Sequence, residues 1–279
     1  MPLEGIPLSP KSHIMTYEEI FTIAEKFVAL GVRKIRITGG EPLVRKDVGI
    51  ILQKLSTLPV ELSITTNGVL VDQFIDQFKA CGIRKVNFSI DSLQVDKFNE
   101  ITKRKDYDRV LANIKKLTQD PFFEVKLNCV LMKGFNDNEI VDFVRLTQNQ
   151  NINIRFIEFM PFEGNKWDLS KLVTQQEVLD HCYDRFGKDG VVKIEDAPHD
   201  TSRNYRLKNA KGSFAVISTV SNPFCDTCNR IRLTANGKLK NCLFSDGEAD
   251  LLTPLRAGQS IDQPINIAIK SKQKIRGGM

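Results

Sequence analysis

Along the first two-thirds of the chain, apolar positions switch repeatedly between strand-like alternation and helix-like spacing. Thr16-Tyr17-Glu18-Glu19 has the form of a capping box and opens a helix that runs to about Leu30 and stops at Gly31. A strand follows around Lys34–Thr38, then a helix around Lys46–Leu55 and a strand around Glu61–Thr66. A helix near Asp72–Ala80 leads to a strand at Lys85–Asp91, with helical stretches near 93–102 and 107–118 after it. The next strand is Glu124–Met132; Asn136-Asp137-Asn138-Glu139 caps a helix to about Gln148, and Ile152–Met160 is again a strand. Strand–helix units of this length predict right-handed parallel crossovers. Five strands are readable, and a sixth is expected before residue 15 or outside the chain. The pattern therefore predicts an α/β fold, either a partial barrel or an open parallel sheet.

Inside these strands one face is polar. Lys34, Arg36 and Thr38 alternate with Ile35 and Ile37, and Ser63 and Thr65 with Leu62 and Ile64. Asn87, Ser89 and Asp91 oppose Val86, Phe88 and Ile90, while Lys126 and Asn128 oppose Val125 and Leu127. A parallel sheet covered on both faces reads as almost continuous Val, Ile and Leu. An antiparallel sheet with one wet face would show the same alternation, but the intervening helices argue against it. A barrel with a polar binding lumen explains the pattern better, with ligands expected at the C-terminal strand ends. Thr38-Gly39-Gly40-Glu41-Pro42 stands at such an end, where paired glycines serve either a tight turn or a close backbone approach to a ligand. No Walker or G-x-G-x-x-G pattern accompanies it.

Composition narrows the partners. Lys and Arg exceed Asp and Glu by 40 to 34, a net +6 spread along the chain without a basic arm. A small anion held by a few inward cations fits this better than nucleic acid. No run of apolar residues is long enough for a membrane span. The first residues carry neither the charged nor the apolar region of a signal peptide, so the cytoplasm is the expected compartment.

Of the six cysteines, Cys81, Cys129 and Cys182 stand singly and read as small buried hydrophobes. Cys225, Cys228 and Cys242 lie close together. The first two are three apart, and the third follows an expected hairpin turn at Ala235-Asn236-Gly237. Structural zinc wants four closed ligands, and none of His13, His181 and His199 is near. Three thiolates with one open position suit a [4Fe–4S] cluster, which tilts the reading to iron–sulfur without closing out zinc. Arg230 and Arg232, within the same segment, form either an anion clamp or a solvated charged edge.

Five segments together carry a resemblance: Lys34–Val44, Ile64–Gly68, Val86–Asp91, Ile154–Pro161, and Cys225–Leu233 with Cys242-Leu243-Phe244. In this order they closely resemble the GTP 3′,8-cyclase family, radical S-adenosylmethionine (SAM) enzymes of the first step of molybdenum cofactor biosynthesis. The resemblance covers essentially the whole chain. It implies a partial (β/α)6 TIM-like barrel over residues 1–165 and a C-terminal extension over 166–279 with an auxiliary iron–sulfur cluster. By matching positions, Gly40, Ser89 and Met160 are expected SAM contacts, and Arg36, Thr65 and Lys126 expected GTP contacts. Arg230, Ile231 and Arg232 match the GTP-binding segment beside the second cluster, and Cys225, Cys228 and Cys242 match its ligands. Arg155 faces the same region with its ligand open.

The implied reaction is reductive cleavage of SAM to a 5′-deoxyadenosyl radical, removal of the C3′ hydrogen of GTP and attack on C8. Its product is (8S)-3′,8-cyclo-7,8-dihydroguanosine 5′-triphosphate. The implied partners are GTP, an electron donor and the cyclic pyranopterin monophosphate synthase acting next, with neither nucleic acid nor membrane. Two departures stand out. The family's C-x3-C-x2-C motif for the SAM-cleaving cluster is absent, its last Cys lying shortly before a Met-Pro pair where this chain begins at Met1-Pro2. Gly277-Gly278-Met279 only superficially resembles the family's Gly-Gly tail. The expectation is a truncated member that keeps one [4Fe–4S] cluster of two and is inactive as written. The alternatives are a non-catalytic nucleotide and iron–sulfur binding protein, or another radical SAM enzyme with an auxiliary cluster.

Overall fold

The computed structural model of the protein describes residues 10–161, 165, 167–244, 248–273 and 275. Met1-Pro2, most of the segment expected to hold a sixth strand, and Gly277-Gly278-Met279 lie outside the described residues.

Local signals act where they stand in the chain. Helix α1, Tyr17–Ala29, starts with the capping box: the Glu19 N–H donates to Thr16 Oγ1 (3.2 Å) and the Thr16 N–H to Glu19 Oε2 (2.7 Å). Gly31 follows with φ +97°, a conformation open to glycine. Next come β1 Lys34–Ile37, α2 Val48–Ser56, β2 Glu61–Thr66, α3 Ile75–Ala80, β3 Lys85–Ser89, α4 Val95–Thr102 and α5 Tyr107–Gln119. β4 Glu124–Leu131, α6 Ile140–Asn149 and β5 Ile152–Glu158 complete the region read from the sequence. Beyond it lie α7 Gln175–Phe186, β6 Val191–Lys193, β7 Arg203–Leu207 and β8 Ser213–Ile217. Last come β9 Arg232–Leu233, β10 Lys238–Lys240, β11 Glu248–Asp250, α8 Leu252–Arg256 and α9 Asp262–Lys270.

The main sheet has eight strands in the order β1-β2-β3-β4-β5-β8-β7-β6. The ladders β2–β3, β3–β4, β4–β5 and β5–β8 are parallel, as the interleaved helices require. β7 and β6 then extend the sheet in antiparallel sense, an extension beyond the five strands expected. A mostly parallel, helix-interleaved sheet of this kind fits a partial TIM-like barrel. Among the described residues no helix is long and apolar enough to cross a membrane.

By compactness the chain resolves into two units that do not follow chain order. The first comprises Arg36–Val44 and Leu62–Phe224. The inward apolar positions of β2–β5, among them Ile64, Val86, Phe88, Leu127, Ile154 and Phe156, are buried, with α5 packed on β4 and α6 on β5 and β8. Phe143 of α6 meets Phe156 of β5 edge-on at 6.1 Å between ring centroids, and Phe214 of β8 stacks on Tyr205 of β7 at 5.5 Å. Gly68, after β2, has φ +84°, and a Cβ there would stand 2.6 Å from the Phe88 ring. The second unit takes in residues 10–35, 45–61 and 225–275. Its core gathers Ile23 and Phe27 of α1, Leu239 of β10, Leu251, Leu252, and Ile265 and Ala268 of α9. The expected turn at Ala235-Asn236-Gly237 joins β9 to β10. Gly237 there has φ +74°, and a Cβ would meet Leu252 Cβ at 2.5 Å.

Candidate functional site

The first unit carries a polar strand face whose parallel register aligns its side chains in rows. Thr65, Asn87, Lys126, Asn153 and Ser213 are successive register partners across five strands. Ser89, Asn128, Arg155 and Ala215 form the next row. Arg36, Thr65 and Lys126 thus belong to one surface with Arg155. Asn87 Nδ2 donates to Thr65 Oγ1 (3.3 Å), Arg155 Nε to Asn153 Oδ1 (3.0 Å) and Asn153 Nδ2 to Ser213 Oγ (2.9 Å). Arg36 Nε donates to Ser63 Oγ (3.4 Å). Asn87 Oδ1 is buried without a partner, an acceptor that a bound donor would satisfy. A cavity of about 130 Å³ lined by Glu124, Lys126, Asn151, Asn153 and Ser213 opens at the start of these strands.

Positive charge is crowded here. Burial, reinforced by Arg155, Lys85 and Arg36, pushes the Lys126 ammonium down to about 8. Such a face favours an anion, which would relieve the repulsion among its cations.

At the C-terminal ends of the strands, Gly39 has φ +151°, and Gly40 is exposed with open space where a Cβ would stand. Gly39 makes the bend, and nothing stands where a Cβ at Gly40 would be. Ser89 is the exposed last residue of β3, and Met160 lies half-buried two residues past β5. The strands end before Asp91 and Met160, both of which the alternation had included.

Beside each of these positions sits a carboxylate that makes a staple. Glu41 accepts from the Asn67 N–H (2.6 Å), Thr66 Oγ1 (2.8 Å) and the Leu43 N–H (3.1 Å). Asp91 accepts from the Val130 N–H (2.8 Å), and burial raises its carboxyl to about 6. Glu158, buried at the end of β5, accepts from the Val220 N–H (2.7 Å), the Ser221 N–H (3.0 Å) and the Ser221 hydroxyl. Sequence reading passed over Glu158; its signal was an acid closing the apolar face of β5 after Ile152, Ile154 and Phe156.

The second unit carries the cysteine segment. Cys225–Thr227 forms one 3-10 turn, and the Cys228 N–H donates to Cys225 O at 3.2 Å. Burial opposes ionisation of Cys228, but the Arg230 amide and the charges of Arg230 and Lys272 hold its thiol below the ordinary value. Arg232 is shifted down by desolvation and by Arg230, and up by Cys228 and Cys242, which places it electrostatically beside both thiols. β9 is two residues long, so Arg232 lies on it and Arg230 precedes it. Ile231 packs its side chain against the unit's core.

All three cysteines lie outside any disulfide and are half-buried, whereas Cys81, Cys129 and Cys182 are buried. Burial pushes Cys182 up to about 12 and Cys129 well above its ordinary range, so both behave as apolar fillers. Among the described residues no three metal-type side chains close around a common point. The donor set itself fits an iron–sulfur group: three soft thiols, one held toward thiolate, ringed by cations suited to a negatively charged cluster.

Comparison with known proteins gives the family. The "Radical SAM superfamily" family matches residues 5–147, and "Molybdenum Cofactor Synthesis C" matches 152–277. GTP 3′,8-cyclase, mitochondrial, of Arabidopsis thaliana is 43% identical over 284 residues, which cover 100% of this chain and 72% of that protein. GTP 3′,8-cyclase of Desulforamulus reducens is 41% identical, covering 97% of this chain and 84% of that one. Molybdenum cofactor biosynthesis protein 1 of Homo sapiens is 39% identical, but the chain spans only 44% of its length. In fold alone, Streptococcus suis SuiB bound to S-adenosylmethionine is similar, with a TM-score of 0.61 at 14% identity over 91% of this chain and 61% of that one. On sequence, fold and the match of both families, the chain belongs to the GTP 3′,8-cyclase family of radical SAM enzymes.

Proposed function

We propose that this chain binds GTP on the polar strand face and at the Arg230–Arg232 segment, and SAM at Gly40, Ser89 and Met160, for the 3′,8-cyclisation of GTP. The observation that carries the reading is the aligned row Thr65–Asn87–Lys126–Asn153 with crowded cations around Lys126. SAM and a [4Fe–4S] cluster supply the radical chemistry when bound.

The protein's own residues do the rest. Lys126, Arg36 and Arg155 neutralise the triphosphate, and each gains from an anion that replaces its cationic neighbours. Thr65 and the unpaired Asn87 oxygen give the polar face hydrogen-bonding groups that orient the nucleoside. Arg230 and Arg232 supply charge-assisted donors, and Ile231 between them, its side chain packed against the core, would meet GTP through its backbone. Cys225, Cys228 and Cys242 are the ligands of an auxiliary [4Fe–4S] cluster in the extension over 166–279, with residues 1–165 as the barrel segment. The product would pass to the cyclic pyranopterin monophosphate synthase, and an electron donor would serve the clusters. Cysteines outside disulfides suit a reducing compartment, and we assign the cytoplasm.

The test compares nucleotides. Arg230→Ala or Arg232→Ala should weaken GTP binding about ten- to a hundredfold, since each charge-assisted bond contributes about 1.5–3 kcal/mol. Guanosine binding should change much less. Equal losses for nucleoside and triphosphate would show that these arginines do not hold phosphates.

A further inference from the structure

Lys272, two residues past α9, reaches back across the second unit to both arms of the cysteine segment. Its Nζ donates to Arg230 O at 2.7 Å and Asn241 O at 2.6 Å, and stands 3.6 Å from Cys228 Sγ. An ammonium has three donors, and all three are used. Arg230 lies two residues after Cys228, and Asn241 immediately before Cys242. One side chain therefore joins the loop carrying two of the thiols to the strand exit carrying the third. Asn241 is fixed a second time from the same helix end, its Nδ2 donating to Ala268 O (2.7 Å) and Ser271 Oγ (3.1 Å). The helix end is anchored in turn, because Ile265 and Ala268 of α9 lie in the unit's buried core.

We propose that Lys272 is a positioning residue for the auxiliary metal site, fastening the Cys242 arm to the Cys225–Cys228 turn and setting one positive charge beside the metal. The proposal rests on the cluster assignment made above, but its geometric half stands without metal. A three-thiolate site drawn from two separate segments loses its third ligand when the segments drift apart; the β9–β10 ladder joins them at Arg232 and Lys240, and the clasp ties them again beside the thiols. A fixed cation beside a cluster also favours the state with one more electron, because reduction adds negative charge there.

The experiment uses the full chain and the variants Lys272→Met and Lys272→Arg. In metal-free protein, Lys272→Met should speed hydrogen exchange at least tenfold at the amides flanking Arg230 and Asn241, leaving those of β2–β5 unchanged. After anaerobic reconstitution with iron and sulfide, it should hold several-fold less iron than wild type. The cluster it does form should be harder to reduce, and Lys272→Arg should recover most of both properties. A structural contact alone would move exchange and loading but not the potential. Unchanged exchange in Lys272→Met, or an unchanged potential in the cluster it retains, overturns the proposal. A Lys272→Arg protein as deficient as Lys272→Met also overturns it. Wild type that binds no iron while its exchange still depends on Lys272 sinks the cluster assignment and leaves the clasp.

Discussion

Lys126 offers a measurable opposition between stability and binding. Its ammonium falls from the ordinary 10.5 to about 8, because burial and three neighbouring cations penalise the charged form. At about 1.36 kcal/mol per pH unit, that shift corresponds to about 3 kcal/mol of strain on the folded state when Lys126 is protonated. Discounted for solvent at the open polar face, about 1–3 kcal/mol should survive. The sign follows from linkage. The folded value lies below the unfolded one, so the unfolded chain binds more protons between pH 8 and 10.5, and stability rises with pH across that window. Below pH 8 the penalty is fully present.

Replacing Lys126 with Met keeps the apolar stem and removes the charge. Urea unfolding of nucleotide-free protein should show Lys126→Met more stable than wild type by about 1–3 kcal/mol at pH 7, using equal slopes as the check on comparability. The difference should shrink as pH passes from 8 to 10.5, since wild type sheds the same proton there. GTP binding should move the other way, weakening about ten- to a hundredfold with the loss of one charge-assisted bond of about 1.5–3 kcal/mol. A variant less stable than wild type at pH 7, or a difference flat in pH, would refute the claim that crowded cations hold this face in a strained, anion-ready state.

Two further outcomes are expected. Glu158→Ala strands the donors of Val220 and Ser221 and should cost about 2–5 kcal/mol, with Glu158→Gln costing less; equal stability of wild type and Glu158→Ala in urea would show the staple to be idle. Anaerobically reconstituted protein should bind iron equivalent to one [4Fe–4S] cluster, lost in Cys225→Ser; zinc without iron would count against the donor-set argument.

Local chemistry made much of the fold legible. The capping box at Thr16 and the strand Glu61–Thr66 appear as their residues imply, because both depend on neighbours in sequence. β6–β8 escaped for the opposite reason. Val191–Lys193 is three residues long, and Ser213–Ile217 becomes a strand by pairing with β5 and β7, neither of which periodicity can identify. The polar face was readable as a face. Its rows were not, because the register that aligns Thr65 with Asn87 and Lys126 is set between strands. Lys272 was invisible for the same reason: its partners lie 42, 44 and 31 residues away in the chain.

The strand-end carboxylates show how such distant pairings and the expected ligand positions belong together. Glu41 past β1 ties down the exit of β2, Asp91 past β3 holds an amide of β4, and Glu158 on β5 holds the exit of β8. Each staple therefore joins neighbours in the sheet order β1-β2-β3-β4-β5-β8. Gly40, Ser89 and Met160 stand within two residues of Glu41, Asp91 and Glu158 respectively. Where a parallel sheet ends, its N–H groups lose their ladder partners and the exits would otherwise wander. Glu41 and Glu158 each satisfy three donors at once, and Asp91 holds one, the Val130 amide. The backbone segments expected to meet SAM are thus held by contacts that need no ligand, so binding would spend little energy in ordering them.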